Sequence, residues 1–155
     1  MVKRIKLTQT NDYDELKNLF IENEIWSEGE ETVPTELVKC WKLTDEEDES
    51  SKPVGGLALA KREGEFIIDG IAINKEFRMR KLGRIILEKA IGEVRKMAGE
   101  RLYLVARAPG FFRAMGFESV PKESAPTFFE CLTCAQYEVS CYPEIMKYSI
   151  RANEN

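Results

Sequence analysis

Apolar and polar positions alternate through Val2-Lys3-Arg4-Ile5-Lys6-Leu7, the period-two pattern of a strand. Asn11-Asp12 follows as a helix cap, and Leu16, Leu19 and Phe20, with Trp26 beyond, form an apolar stripe at helical spacing. Gly29 and Pro34 interrupt it. Glu36–Cys40 reads either as a short helix end or as a lead into the strand Cys40-Trp41-Lys42-Leu43. Val54–Ala60 and Phe66–Ile73 are further strands, joined by the turn Lys61-Arg62-Glu63-Gly64. These three strands predict an antiparallel meander with hairpin links. A long amphipathic helix is expected from Leu82 to Ala98, with Leu82, Ile85, Ile86, Ile91 and Val94 on one stripe and Gly99 just past its end. Leu102–Ala106 is a strand, and Pro109 opens a short helix through Gly110–Met115 that Gly116 closes. Phe117–Val120 and Ile145–Ile150 are the last strands.

That order predicts an α+β (mixed α/β) fold, a central and mostly antiparallel twisted sheet flanked by helices. The 155 residues suit one domain over 1–155, with no internal repeat and no linker of domain scale. No apolar run reaches the length of a membrane span, and Met1-Val2-Lys3-Arg4 leads into no signal-peptide core. The expectation is a cytoplasmic chain with no membrane partner.

There is no histidine. Imidazole bases, imidazole metal sites and Ser-His or Cys-His nucleophiles are therefore excluded, and protons must move through carboxylates, Tyr, Cys, Lys or water. The net charge of −4 argues against a nucleic-acid partner. Asp45-Glu46-Glu47-Asp48-Glu49 reads as a solvated loop at a hairpin tip. Cys131 and Cys134 have metal or redox spacing and Cys141 follows, but Cys40 is far away in sequence, so free thiols are expected and no metal site is assigned.

Against this acidic background stands a basic knot: Lys75, Arg78, Arg80, Lys81 and Arg84. It falls where the strand ending at Ile73 gives way to the helix at Leu82. Unpaired N–H groups and the positive end of the helix dipole make such a start a phosphate cradle, and Gly83 lets a ligand approach closely. Read from the residues alone, the ligand bears phosphate and is otherwise open.

The segment Arg78-Met79-Arg80-Lys81-Leu82-Gly83 resembles the acetyl-CoA-binding motif of the GNAT N-acyltransferase superfamily, Arg/Gln-x-x-Gly-x-Gly/Ala, with Lys81 at the usual first glycine. Downstream, Ala108-Pro109-Gly110-Phe111-Phe112-Arg113-Ala114-Met115-Gly116-Phe117 resembles the family's short helix ending in Gly-Phe beside the cofactor thiol. The Phe-Phe pair and the late cysteines are similar to small amino-acid N-acetyltransferases of the N-acetylglutamate synthase type.

The resemblance implies the GNAT acyl-CoA N-acyltransferase fold and acetyl-CoA as acetyl donor. It implies pantetheine pairing along Ile71, Ala72 and Ile73, pyrophosphate held by Arg78, Met79, Arg80, Lys81, Leu82, Gly83 and Arg84, and Phe112 beside the cofactor. The thioester would lie near a splay between the strands Phe66–Ile73 and Leu102–Ala106. The implied reaction is direct attack on the thioester by a primary amine of a small molecule or amino acid, in a monomer or homodimer. An ammonium must first lose a proton. Asp69, in an otherwise apolar strand and on the same face as Ile71 by alternation, is the candidate base, with a strand-edge or bulge acid beside Gly70 as the plainer reading. Arg107 could grip a substrate carboxylate. Phe111 and Phe112 stand where the family often has a tyrosine acid, which leaves Tyr103, Tyr137, Tyr142 and Cys134 open for that role. A non-catalytic acyl-CoA module and a thiolate metal or redox protein are the alternatives.

Overall fold

The computed structural model describes residues 5–23, 36–47, 52–106, 109–121 and 144–150. Along the chain run β1 (Ile5–Thr10), α1 (Tyr13–Glu22), β2 (Glu36–Asp45), β3 (Pro53–Arg62), β4 (Glu65–Ile73), a 3-10 turn (Lys75–Arg80), α2 (Leu82–Lys96), β5 (Arg101–Ala106), α3 (Pro109–Ala114), β6 (Glu118–Ser119) and β7 (Glu144–Ser149). The strands form one sheet in the order β1-β2-β3-β4-β5-β7-β6. The β4–β5 pair is parallel and the others are antiparallel. Glu36–Cys40 is strand, because Glu36 pairs with Lys61 and Leu37 with Ala60. The turn between β3 and β4 is Glu63-Gly64, both with positive φ, the geometry of a two-residue hairpin that follows strand twist.

The two faces of the sheet carry different side chains. Leu57, Leu59, Phe66, Ile68, Leu102 and Leu104 point to the face covered by α2, which contributes Leu82, Ile86, Leu87, Ala90, Ile91 and Val94 to the same core. On the opposite face α1 packs Leu16, Leu19 and Phe20 against the small residues Ala58 and Ala72. Glycine extends that smooth surface. A Cβ at Gly56 would overlap Leu16, and one at Gly70 would stand 2.5 Å from the Phe20 ring. β3 thus alternates large toward α2 and small toward α1, so its burial is continuous although its side chains alternate in size.

Caps fix the helix ends. The Asp12 carboxylate accepts the Glu15 N–H at 3.0 Å, which closes the start of α1. α3 ends with Gly116 at φ 102°, the Phe117 N–H returning to the Phe112 carbonyl. α2 ends with the same pair of bonds, Ala98 N–H to Arg95 and Gly99 N–H to Val94. There the left-handed residue is Ala98, at φ 59°, while Gly99 is needed because a Cβ would press on Val94 and Phe66. A left-handed alanine costs about 1 kcal/mol relative to glycine. Ala98→Gly is therefore expected to stabilise the fold by about that amount, read as a rise of a few degrees in thermal midpoint; an unchanged or lower midpoint counts against this account of the cap.

Candidate active site

Among the described residues, strands β4 and β5 share a single pairing, Ile67 with Tyr103. Beyond it β4 keeps its ladder with β3, and β5 pairs along its length with β7. The two parallel strands therefore diverge beyond Ile67, toward Ile71–Ile73 on β4. Ile71 and Ile73 pack on the α2 core, and Ala72 is buried under α1.

The widening gap leads to the basic turn. Asn74 anchors it: its N–H donates to the Val54 carbonyl at 2.7 Å, and its side chain accepts from Asn23 at 3.0 Å. After the 3-10 turn, Lys81 takes a left-handed conformation (φ 60°, ψ 20°) and α2 begins. The first α2 bond in the ladder is Ile85 N–H to the Lys81 carbonyl, so the amides of Leu82, Gly83 and Arg84 project from the helix start. No acidic residue stands in that first turn to offset the dipole. Lys81 and Arg84 are exposed, whereas the Leu82 side chain is core and offers only its amide. The backbones of Arg78, Met79 and Arg80 form the turn; their side chains lie outside what the structure describes, as do Arg107, Cys131, Cys134, Cys141, Tyr137 and Tyr142.

The phenylalanine pair divides differently from the expectation. Phe112 is 7% exposed and belongs to the core, its ring 5.7 Å from that of Phe117. Phe111 is 40% exposed and lies over the cradle, its Cζ 3.2 Å from where a Gly83 Cβ would be. The aromatic ring beside Gly83 is thus that of Phe111. Consecutive residues of a helix stand about 100° apart around its axis, so one ring can enter the core while its neighbour stays outside. An open groove of about 430 Å³ runs between α2, α3 and β7, lined by Arg84, Glu88, Ile91, Arg95, Ala114, Met115 and Tyr148.

Asp69 sits two residues past the Ile67–Tyr103 pairing, where the β3–β4 register slips: Leu59 faces Ile68 and Ala58 faces Gly70. Asp69 is the extra residue of a bulge. The bulge corrects the assignment by alternation. Ile71 lies on the α2 side, whereas Asp69 turns to α1. Its carboxylate accepts from the Tyr13 hydroxyl at 2.7 Å and from the Arg62 guanidinium at 2.7 Å. The side chains of Arg62 and Asp69 are 5% and 3% exposed. Burial raises the Asp69 carboxyl above its ordinary value, while the Tyr13 hydrogen bond and the Arg62 charge oppose that rise. Burial, the Asp69 charge and the hydrogen bond to it raise the Tyr13 phenol far above its usual range. Burial, then the Asp69 charge, push the nearby Cys40 thiol up to about 11. Sequence reasoning missed Tyr13 and Arg62. A first helical residue and a hairpin-end arginine carry no periodic signal that they will meet; Asp69-Gly70 inside a strand was the sign of the bulge.

A mixed sheet whose parallel pair opens toward a basic helix start defines an acyl-CoA N-acyltransferase fold. Residues 11–117 match the acetyltransferase (GNAT) family, and the chain belongs to that family. It is 29% identical over 69 residues to an uncharacterised N-acetyltransferase of Chlorobaculum tepidum, a stretch spanning 43% of this chain and 44% of that relative. Its fold is similar to an acetyltransferase of the GNAT family from Staphylococcus aureus (TM-score 0.67, 15% identity, 94% of this chain and 99% of that one). It is also similar to N-acetylglutamate synthase from Neisseria gonorrhoeae, solved with coenzyme A and N-acetyl-glutamate (TM-score 0.61, 14% identity, 94% of this chain and 35% of that one).

Two stability measurements test the local physics. Lys81→Gly relieves the left-handed strain and is expected to add about 1 kcal/mol; a destabilised variant would show that the lysine side chain supports the turn. The Cys40 thiol is raised in the folded state, so the stability it carries is complete below the unfolded thiol range near pH ~8.5 and is lost as pH climbs toward about 11. The stability advantage of wild type over Cys40→Ala in urea should therefore shrink between those limits, and a constant gap contradicts the shift.

Proposed function

We propose that this chain is an N-acetyltransferase that moves an acetyl group from acetyl-CoA to a primary amine of a small molecule or amino acid. The observation that supports this reading is the β4–β5 pairing at Ile67 and Tyr103, with the Asp69 bulge two residues past it and the start of α2 following β4. In this reading the pyrophosphate rests on the amides of Leu82, Gly83 and Arg84, with positive charge from Arg78, Arg80, Lys81 and Arg84. The pantetheine amides run beside the Ile71–Ile73 stretch of β4, as an added strand would. The thioester then comes to the apex near Ile67 and Tyr103. Phe111, over Gly83, narrows the way into the cradle.

The amine approaches from the α1 side, where Asp69 lies. A lysine-like amine near neutral pH is almost wholly protonated, and freeing it costs about 4–5 kcal/mol. Asp69 takes that proton directly or through one water. The neutral nitrogen attacks the thioester carbonyl, the C–N bond forms, the C–S bond breaks, and the thiolate leaves with the electron pair. The second proton of the attacking nitrogen is lost as the amide forms and passes through water to the departing thiolate. Arg107 follows β5 and is assigned to a carboxylate on the acceptor.

A second reading has a specific observation behind it. Both Asp69 oxygens already accept a hydrogen bond, and phenylalanine stands where a tyrosine acid is usual, as in a module that binds acyl-CoA without turnover. One experiment separates the two. An amine and amino-acid panel is assayed for thiol release from acetyl-CoA, alongside calorimetry of acetyl-CoA binding. The expected result is release with at least one amine, an affinity loss of at least about tenfold in Gly83→Glu, and a rate loss of about 100-fold in Asp69→Asn with binding retained. Tight binding with no release across the panel favours the module, and no binding overturns both readings.

A further inference from the structure

The mechanism leaves one half-buried group unexplained. Tyr13, the first residue of α1, donates its hydroxyl to Asp69 across 56 positions of sequence. An ordinary core contact would have used a phenylalanine. We propose that Tyr13 is a positioning residue for the transfer: with Arg62 it holds the Asp69 carboxylate in one orientation at the bulge, facing the gap between β4 and β5. This deepens the preceding reading and rests on it.

The geometry makes the argument. Arg62 binds Oδ1 and Tyr13 binds Oδ2, each at 2.7 Å. Two donors on two oxygens fix the plane of the carboxylate, and they come from different elements, α1 and the end of β3. Without the Tyr13 hydroxyl, Oδ2 would lose that donor in a site nearly closed to water. The groups described as facing Asp69 are Tyr13 from α1, Arg62 from β3 and Cys40 from β2. The shifts of Tyr13 and Cys40 are upward, so both stay neutral through the acid and neutral range. A protonation step of this cluster below neutrality therefore belongs to Asp69.

A hydroxyl donating to a carboxylate favours the ionised form, so its removal makes the carboxyl harder to ionise, and a stronger donor does the reverse. The test follows kcat for thiol release against pH with one amine throughout, in wild type, Tyr13→Phe, Asp69→Asn and protein carrying 3-fluorotyrosine at position 13. The fluorinated ring keeps size and fold and donates more strongly. Tyr13→Phe should move the acid limb up by about one pH unit, and the fluorinated residue should move it down by a few tenths. Asp69→Asn should remove the Asp69 contribution to the limb. The same displacements are read without turnover by carbon-13 NMR titration of the Asp69 carboxyl, assigned by its absence in Asp69→Asn. If Asp69→Asn removes that contribution while both Tyr13 replacements leave the limb and the carboxyl titration in place, the positioning role is overturned and Asp69 as base survives. If the limb persists unchanged in Asp69→Asn, the base assignment falls. An unmoved carboxyl titration in the folded fluorinated protein overturns the Tyr13 role whatever Tyr13→Phe does to stability.

Discussion

The parallel strands β4 and β5 touch at Ile67 and Tyr103 and then part, and the site depends on that parting. Each is satisfied along its outer edge, β4 by β3 and β5 by β7. Beyond the Ile67–Tyr103 contact their inner edges turn away from each other instead of continuing the ladder. A gap of this kind suits an amide-bearing chain that can bond as a strand. The crossover through α2 delivers its helix start to the wide end of the gap. The bulge at Asp69 marks the narrow end, where it changes the twist of β4 and turns a carboxylate out of alternation. Strand divergence, helix start and bulge are thus three parts of one geometry.

The asymmetry of β3 decides which helix covers which face. Large aliphatic side chains meet α2, while glycine and alanine form a shallow floor for α1. The close approach of α1 lets the Tyr13 ring reach β4 at all. Filling the floor at Gly56 or Gly70 would lift the helix and break the hydroxyl contact before it disturbed the main core.

The elements themselves were readable, because each depends on local periodicity or on a capping residue. Asp12, Gly116 and the Leu82-to-Val94 stripe act within a few positions of themselves. The uncertain Glu36–Cys40 segment became strand through pairing with Leu37's partner Ala60 and its neighbours, which is non-local. The phosphate turn was legible for a similar local reason: basic residues cluster where a strand gives way to a helix. Its backbone also gives Lys81 a physical meaning, since the turn needs a left-handed residue there and glycine is the residue that adopts it without strain. What alternation could not yield was parity. One extra residue at the bulge reverses the face of everything beyond it, so counting by twos from Ile71 put Asp69 on the wrong side. In the short helix, two adjacent phenylalanines give no clue to which is core until Phe117 and Tyr148 close around one of them.

The electrostatics of the apex bear on why such a cluster exists. Removing a guanidinium and a carboxylate from water costs several kcal/mol per ion, and their attraction often only offsets that cost. Apolar side chains of similar volume would fill the same space with comparable stability, as they do elsewhere on this face in Ala60, Ile67 and Ile145. Stability alone therefore gives no reason for Arg62, Asp69 and Tyr13 to meet where the strands separate. Chemistry gives one. A carboxylate in a dry site is a stronger base than one in water, but it is useful only if it neither rotates away nor stays protonated. In the proposed role, burial supplies the first property and the two donors supply the second, and the bulge sets the carboxylate two residues past the Ile67–Tyr103 pairing.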